Sequence, residues 1–159
     1  MATEIEFNKE IVFGSSDSTV SRRISRLEKL GKLKRIAPRL YTTNFHDSPE
    51  TIIRRNIIDV VAWRFPNTII SHRSAFEMRP TQTNDFFITS LTARKITDLP
   101  GVTINVIKGK PALKSDINMT NPPIFISSEC RWILEILQQT RKDGEDAKSL
   151  PIEFIEQRL

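Results

Sequence analysis

Cysteine occurs once in this chain, at Cys130, and histidine only twice, at His46 and His72. A single thiol allows no internal disulfide, and neither histidine pairs with the cysteine at metal-ligand spacing. The five glycines are scattered and form no GxGxxG, GKS or GKT pattern, which removes a phosphate-cradling loop. Long apolar runs are missing as well. Stretches such as Ile57-Ile58 and Val60-Val61-Ala62 are flanked by charge, far short of the roughly 20 residues a membrane helix needs. The opening Met1-Ala2-Thr3-Glu4 carries acid where a secretory signal carries base, and no apolar stretch follows. These absences lead to the expectation of a cytoplasmic protein with no membrane partner and no cofactor.

What is present is enough for one full domain, or for a small domain followed by a medium one. The 159 residues are 38% hydrophobic and include nine Phe and two Trp, so a real core can form. Net charge is +5, and its distribution is more telling than its size. Between Ser18 and Tyr41 eight bases face one acid, Glu28, whereas the rest of the chain has 16 bases against 18 acids. A charge run is ordinarily a solvated face. One concentrated against an otherwise acidic background is the electrostatic footprint of a phosphate-backbone partner.

Pattern within that stretch predicts local structure. Asp17 or Ser18 is placed to cap a helix by accepting from its first free N–H groups. Val20, Ile24, Leu27 and Leu30 then make one apolar stripe, and Gly31 stands where a left-handed residue ends helices. Arg22, Arg26 and Lys29 occupy the opposite face, with Arg23 on its flank. Lys32–Ile36 alternates polar and apolar like a half-buried strand. Ala37-Pro38-Arg39 turns the chain and Leu40–Thr43 returns it. Leu33, Ile36 and Tyr41 are expected to pack against the helix. Helix, glycine stop and basic hairpin together predict a winged helix-turn-helix over residues 1–45, whose first segment, at 5–13, fits a helical turn or an edge strand.

Beyond a linker at 44–47, Ser48-Pro49-Glu50 combines a capping serine, a proline at the first helical position and an acid in the first turn. The helix it opens carries Ile53, Ile57, Val60 and Val61 and stops before Pro66. A strand at 67–70 follows, then a helix at 72–78 capped by Ser71 and ended by Pro80. Strands are expected at 85–90 and 102–107, separated by the Leu99-Pro100-Gly101 turn, with a return strand at 124–126 after a polar, irregular stretch at 111–123. Ser127 caps a helix whose buried face is read as Cys130, Ile133, Leu134 and Leu137. A linker at 141–149 leads to an amphipathic helix bearing Ile152, Ile155 and Leu159. The fold class is therefore α/β (α+β): a winged helix-turn-helix, a small mixed α/β domain over 46–140, and a linker plus terminal helix over 141–159.

Base edges in a major groove are read by long hydrogen-bonding side chains, and the arginine fork matches the two acceptors of guanine. Ser21, Arg22, Arg23, Ser25, Arg26 and Lys29 are the right types for a recognition helix. Lys32, Lys34, Arg35 and Arg39 fit phosphate contacts, which position a protein without reading sequence. An enzyme is not indicated. Ser71-His72 supplies a hydroxyl beside an imidazole, but neighbouring helix residues point apart and no glycine-flanked serine elbow is present. Cys130 falls on an apolar stripe, and Asp98, Asp116 and Asp143 are separated by loops. Catalytic and metal residues are thus expected to be none.

The run from Ser21-Arg22-Arg23-Ile24 through Leu30-Gly31-Lys32-Leu33-Lys34-Arg35-Ile36-Ala37-Pro38-Arg39-Leu40-Tyr41-Thr42 resembles the N-terminal winged helix of AbiEi-type antitoxins. Ser48–Asn56 and Ile70–Glu77 resemble the same architecture's second region. The combination is also similar to the N-terminal extension of some bacterial Fic-domain proteins. The likeness implies a DNA-binding transcription regulator that represses its own toxin–antitoxin operon through inverted repeats. It further implies a second domain that oligomerises or engages the cognate toxin protein. The Fic signature of histidine, proline and phenylalanine with a glycine-asparagine-glycine-arginine run is absent, so no AMP transfer is implied. The amphipathic segment reaching Leu159 fits either a short antitoxin-like protein or the front of a longer one, such as a regulatory module of a Fic-type enzyme.

Overall fold

A computed structural model describes residues 9–138 and 150–158, with six helices and two sheets in a mixed α/β arrangement among them. The predicted linker at 141–149, the start of the segment at 5–13, and Leu159 lie outside the described residues. The chain divides into two compact units. One takes in residues up to Asn56 together with 98–101, and the other holds 57–97 and everything from Val102 on.

The first unit runs β1 (Ile11–Phe13), α1 (Ser18–Lys29), β2 (Lys34–Ala37), β3 (Leu40–Thr42) and α2 (Pro49–Arg55). Its three strands form an antiparallel sheet in the order β1-β3-β2. Asp17 settles the α1 cap by accepting from the N–H of Thr19 at 2.7 Å and of Val20 at 3.1 Å. At the other end Gly31 has φ +67°. The Gly31 N–H donates to the Glu28 carbonyl and the Lys32 N–H to the Leu27 carbonyl, the paired bonds of a Schellman stop. Val12, Ile24 and Leu33 form a buried cluster against which Val20, Leu27 and Tyr41 pack.

Two expectations need correcting here. Leu30 is 59% exposed rather than part of the packed stripe, because it is the C-cap residue where the helix is already ending. The hairpin does not alternate either: Lys34 and Arg35 are both exposed, while Ile36 and Ala37 are both buried. A register shift between Arg35 and Ala37 is the cause, since one extra residue on a strand flips the faces beyond it. Ile36 is buried as expected but outside the helix-facing cluster.

The predicted helix from Pro49 to Pro66 is interrupted at Asn56, which caps α2 with φ −106°. Its side-chain amide donates to the Ile52 carbonyl at 2.8 Å and to Glu10 Oε2 at 2.6 Å, competing with the helical ladder. Arg55 also binds Glu10, through Nε at 2.8 Å and through Nη2, and reaches Asp47 Oδ2 at 2.6 Å. α2 is thereby tied to the first unit. The Arg55 guanidinium holds the Glu10 carboxyl at about 2 against the opposing effect of burial, with help from the Asn44 and Asn56 amides.

The second unit continues with α3 (Ile57–Arg64), β4 (Ile69–Ile70), α4 (His72–Glu77), β5 (Asp85–Ser90), β6 (Arg94–Leu99, all but its last two residues), β7 (Val102–Lys108), β8 (Ile117–Thr120), β9 (Pro123–Ile126), α5 (Glu129–Leu137) and α6 (Ile152–Glu156). Its strands lie in the order β6-β7-β5-β4-β9-β8. β5 runs parallel to β7, and β4 parallel to β9 but antiparallel to β5. The central strands read as nearly continuous apolar runs, with Phe86, Ile88, Ile104 and Ile70 fully buried. β6 and β8, neither predicted from sequence, are the sheet's edges. Their mostly exposed, polar residues give no alternating signal.

The helix after β9 begins at Ser128 rather than Ser127, and its buried face also differs from the prediction. Trp132, Ile133 and Ile136 are buried, whereas Cys130 is exposed, Leu134 is 61% exposed and Leu137 is 47% exposed. Both stripes satisfy helical spacing. The larger indole goes inside, because Phe76 stands 5.5 Å from the Trp132 ring centroid to receive it. Ile155 of α6 completes this cluster, and Phe154 lies 4.9 Å from Phe76.

Candidate nucleic-acid interface

Helical geometry gathers part of the predicted site on one face. Ser18, Ser21, Arg22, Ser25, Arg26, Lys29 and Leu30 line a shallow groove of about 610 Å³ along α1. Their spacing of three and four residues places them in one stripe opposite buried Ile24. Ser18 and Leu30 were not anticipated, although extending the same period by one step at either end would have found them. All ten predicted residues are exposed. Arg22, Arg26 and Lys29 pair with no carboxylate among the described residues, so their charge is turned outward.

The remaining candidates lie elsewhere. Arg23 is about 100° around the helix from Arg22, does not line the groove, and makes a contact of its own. Lys32 follows the glycine stop, and Lys34 and Arg35 stand on the bulged β2. Beside Lys34, the Glu50 carboxyl lies below the usual glutamate range, chiefly through its own backbone N–H and the Ser48 hydroxyl, with the Lys34 charge contributing. Arg39 sits at the hairpin turn with φ +60°. Its carbonyl accepts from the Gly14 N–H at 2.7 Å, and a Cβ on Gly14 would come within 2.9 Å of the Arg39 Cβ. Glycine at 14 therefore lets the turn close over the strand before α1.

One helix, α1, lies between β1 and the hairpin among the described residues. A helix-turn-helix contains two.

The second unit uses its charges differently. The Arg131 guanidinium donates to Asp116 Oδ2, to Glu135 Oε1 at 2.8 Å, and to the carbonyls of Lys110 at 2.8 Å and Pro111 at 3.1 Å. Its side chain is 9% exposed and that of Asp116 is completely buried. Burial pushes the Asp116 carboxyl up. The N–H groups of Leu113 and Ser128 and the Arg131 cation outweigh that push and hold it below the ordinary aspartate range.

Ser71 and His72 do meet, with Ser71 Oγ 3.0 Å from His72 Nδ1. Ser71 is fully buried and its hydroxyl also accepts from Thr89 Oγ1 at 2.8 Å, so no substrate carbonyl can reach it. Among the described residues no group of three or more His, Cys, Asp or Glu could hold a metal ion. Nor is any described helix long and apolar enough to cross a membrane.

Compared with protein-family models, curated proteins and solved structures, the chain matches none of them.

Proposed function

We propose that the first unit binds double-stranded DNA through α1, and that the protein is a non-enzymatic, cytoplasmic transcription regulator of the antitoxin kind. The observation that carries this reading is the α1 groove, where exposed Arg22, Arg26 and Lys29, with no carboxylate partner among the described residues, stand beside Ser21 and Ser25. A major groove about 12 Å wide admits one helix. The groove-lining serines and arginines supply donors for base edges, and Lys32, Lys34, Arg35 and Arg39 supply cations for phosphates. In this reading the wing is the β2–β3 hairpin, the DNA is the operator of the protein's own operon, and a cognate toxin or a second copy engages the second unit.

Anisotropy titration of the full chain against DNA from upstream of its own gene tests this. If about five phosphates are neutralised, log affinity falls with log salt at a slope of roughly −4 to −5. Absence of salt-dependent binding at low ionic strength ends the proposal.

A second reading is a protein-interaction module of a toxin complex or of a Fic-type enzyme. The exposed basic face of α1 offers its charge to an acidic protein surface as well as to phosphates. On that reading, replacement of Arg22 and Arg26 weakens binding of a protein partner rather than of DNA.

A further inference from the structure

The second unit contains a pocket of about 570 Å³ between α5, the end of β7 and the chain that follows it. That is within the range of about 300–1,000 Å³ typical of small-molecule sites. Its lining mixes polar and charged side chains with a few large apolar ones. Ile107 lines it from β7, and Leu113 and Leu134 line it while remaining 47% and 61% exposed.

The polar floor is fixed rather than adaptable. His72 is buried with φ +52°, a conformation that costs a side-chain-bearing residue energy and persists only where its surroundings impose it. Its N–H donates to Glu135 Oε2 at 3.2 Å, and the Ser127 hydroxyl donates to the same oxygen at 3.1 Å. Thr89 Oγ1 donates to Ser71 Oγ at 2.8 Å, and Ser71 Oγ lies 3.0 Å from His72 Nδ1, so the ring is held in a fixed place. Gly109 lets the end of β7 press onto this floor, since a Cβ there would come within 2.6 Å of Thr89 Cγ2.

Charge then selects the ligand. Lys108 and Lys110 flank Gly109 at the rim, both exposed and neither paired with a carboxylate among the described residues. Arg131 is neutralised by Asp116 and Glu135, and it holds the Lys110 and Pro111 carbonyls, so the rim backbone is braced from below. Lys108, Lys110, Arg131 and Glu135 line the cavity and Asp116 backs Arg131, so three cations against two carboxylates leave one positive charge over the cavity and its support.

We propose that this pocket binds a small monoanionic amphiphile, a medium-chain or aromatic carboxylate. Its headgroup meets Lys108 and Lys110, and its body lies on Ile107, Leu113 and Leu134. The site is independent of the DNA-binding reading.

Full-length protein titrated with the fluorescent anion 1-anilinonaphthalene-8-sulfonate, with octanoate and octan-1-ol as competitors, tests it. Saturable one-site binding is expected, with octanoate displacing the probe at about one-tenth the concentration octanol requires. The double variant Lys108→Glu/Lys110→Glu should weaken octanoate about tenfold or more at an unchanged melting midpoint. Arg22→Ala should leave octanoate binding as it is. Equal displacement by octanol and octanoate overturns the proposal without recourse to any variant, as does probe binding that octanoate cannot displace. Wild-type octanoate affinity in the double lysine variant also overturns it.

Discussion

The two units carry arginines of the same chemistry in opposite settings. On α1, Arg22 and Arg26 stand in an exposed groove with no carboxylate partner among the described residues. On α5, Arg131 is buried and spends its donors on Asp116, Glu135 and two carbonyls. An outward guanidinium adds little to folding and is available to a partner. An inward one is indispensable to its neighbours and unavailable to anything else. Sequence position alone does not distinguish them, since Arg22 and Arg131 each follow a helix start by a few residues.

The largest expected effect sharpens that contrast. Arg131→Leu should destabilise the protein by about 3–5 kcal/mol in urea unfolding, because Asp116 is left buried without its counter-ion. Arg26→Leu should change stability by no more than about 0.5 kcal/mol. Similar costs at the two positions would break the comparison.

Function should respond in the reverse sense. Where α1 reads DNA as proposed, Arg22→Ala and Arg26→Ala each cost about 1–3 kcal/mol of operator affinity in anisotropy titrations and relax sequence preference. Lys34→Ala should weaken all DNA about equally and reduce the salt slope by about one.

A smaller effect tests whether α1 must be pre-formed. Asp17→Ala removes the cap on the Thr19 and Val20 N–H groups and should cost about 1 kcal/mol of stability by thermal or urea unfolding.

The smallest effect is in acid. Glu10 has its folded pKa lowered from 4.5 to about 2 by Arg55. Its contribution is therefore complete above about 4.5 and is lost as pH falls from there towards 2. Stability measured across that window should fall less steeply in Glu10→Gln than in the wild type. An unchanged slope would mean that the Glu10–Arg55 contact adds nothing to the first unit.

Much of the first unit was legible because its signals are local. A cap, a 3–4 spacing, a glycine stop and a turn are each decided within a few residues, and Asp17, Ile24, Gly31 and Pro38 stand where those rules put them. The groove follows from the same period. The bulge at Arg35–Ala37 was not legible, since register depends on what β3 offers across the sheet. In the second unit the edge strands β6 and β8 escaped notice because an edge needs no apolar alternation. The break at Asn56 depends on Glu10, 46 residues away.

The sequence by itself determined where the positive charge lies, which residues share the exposed face of α1, and the mixed α/β character of the chain. These rest on composition and on periods set by backbone geometry. Only the tertiary structure decided which stripe of α5 is buried, that Arg131 is committed while Arg22 and Arg26 are not, and that Lys108, Lys110 and Leu134 surround one pocket. The physical reason is that burial and pairing are properties of neighbours, and residues far apart in sequence become neighbours only when the sheet closes.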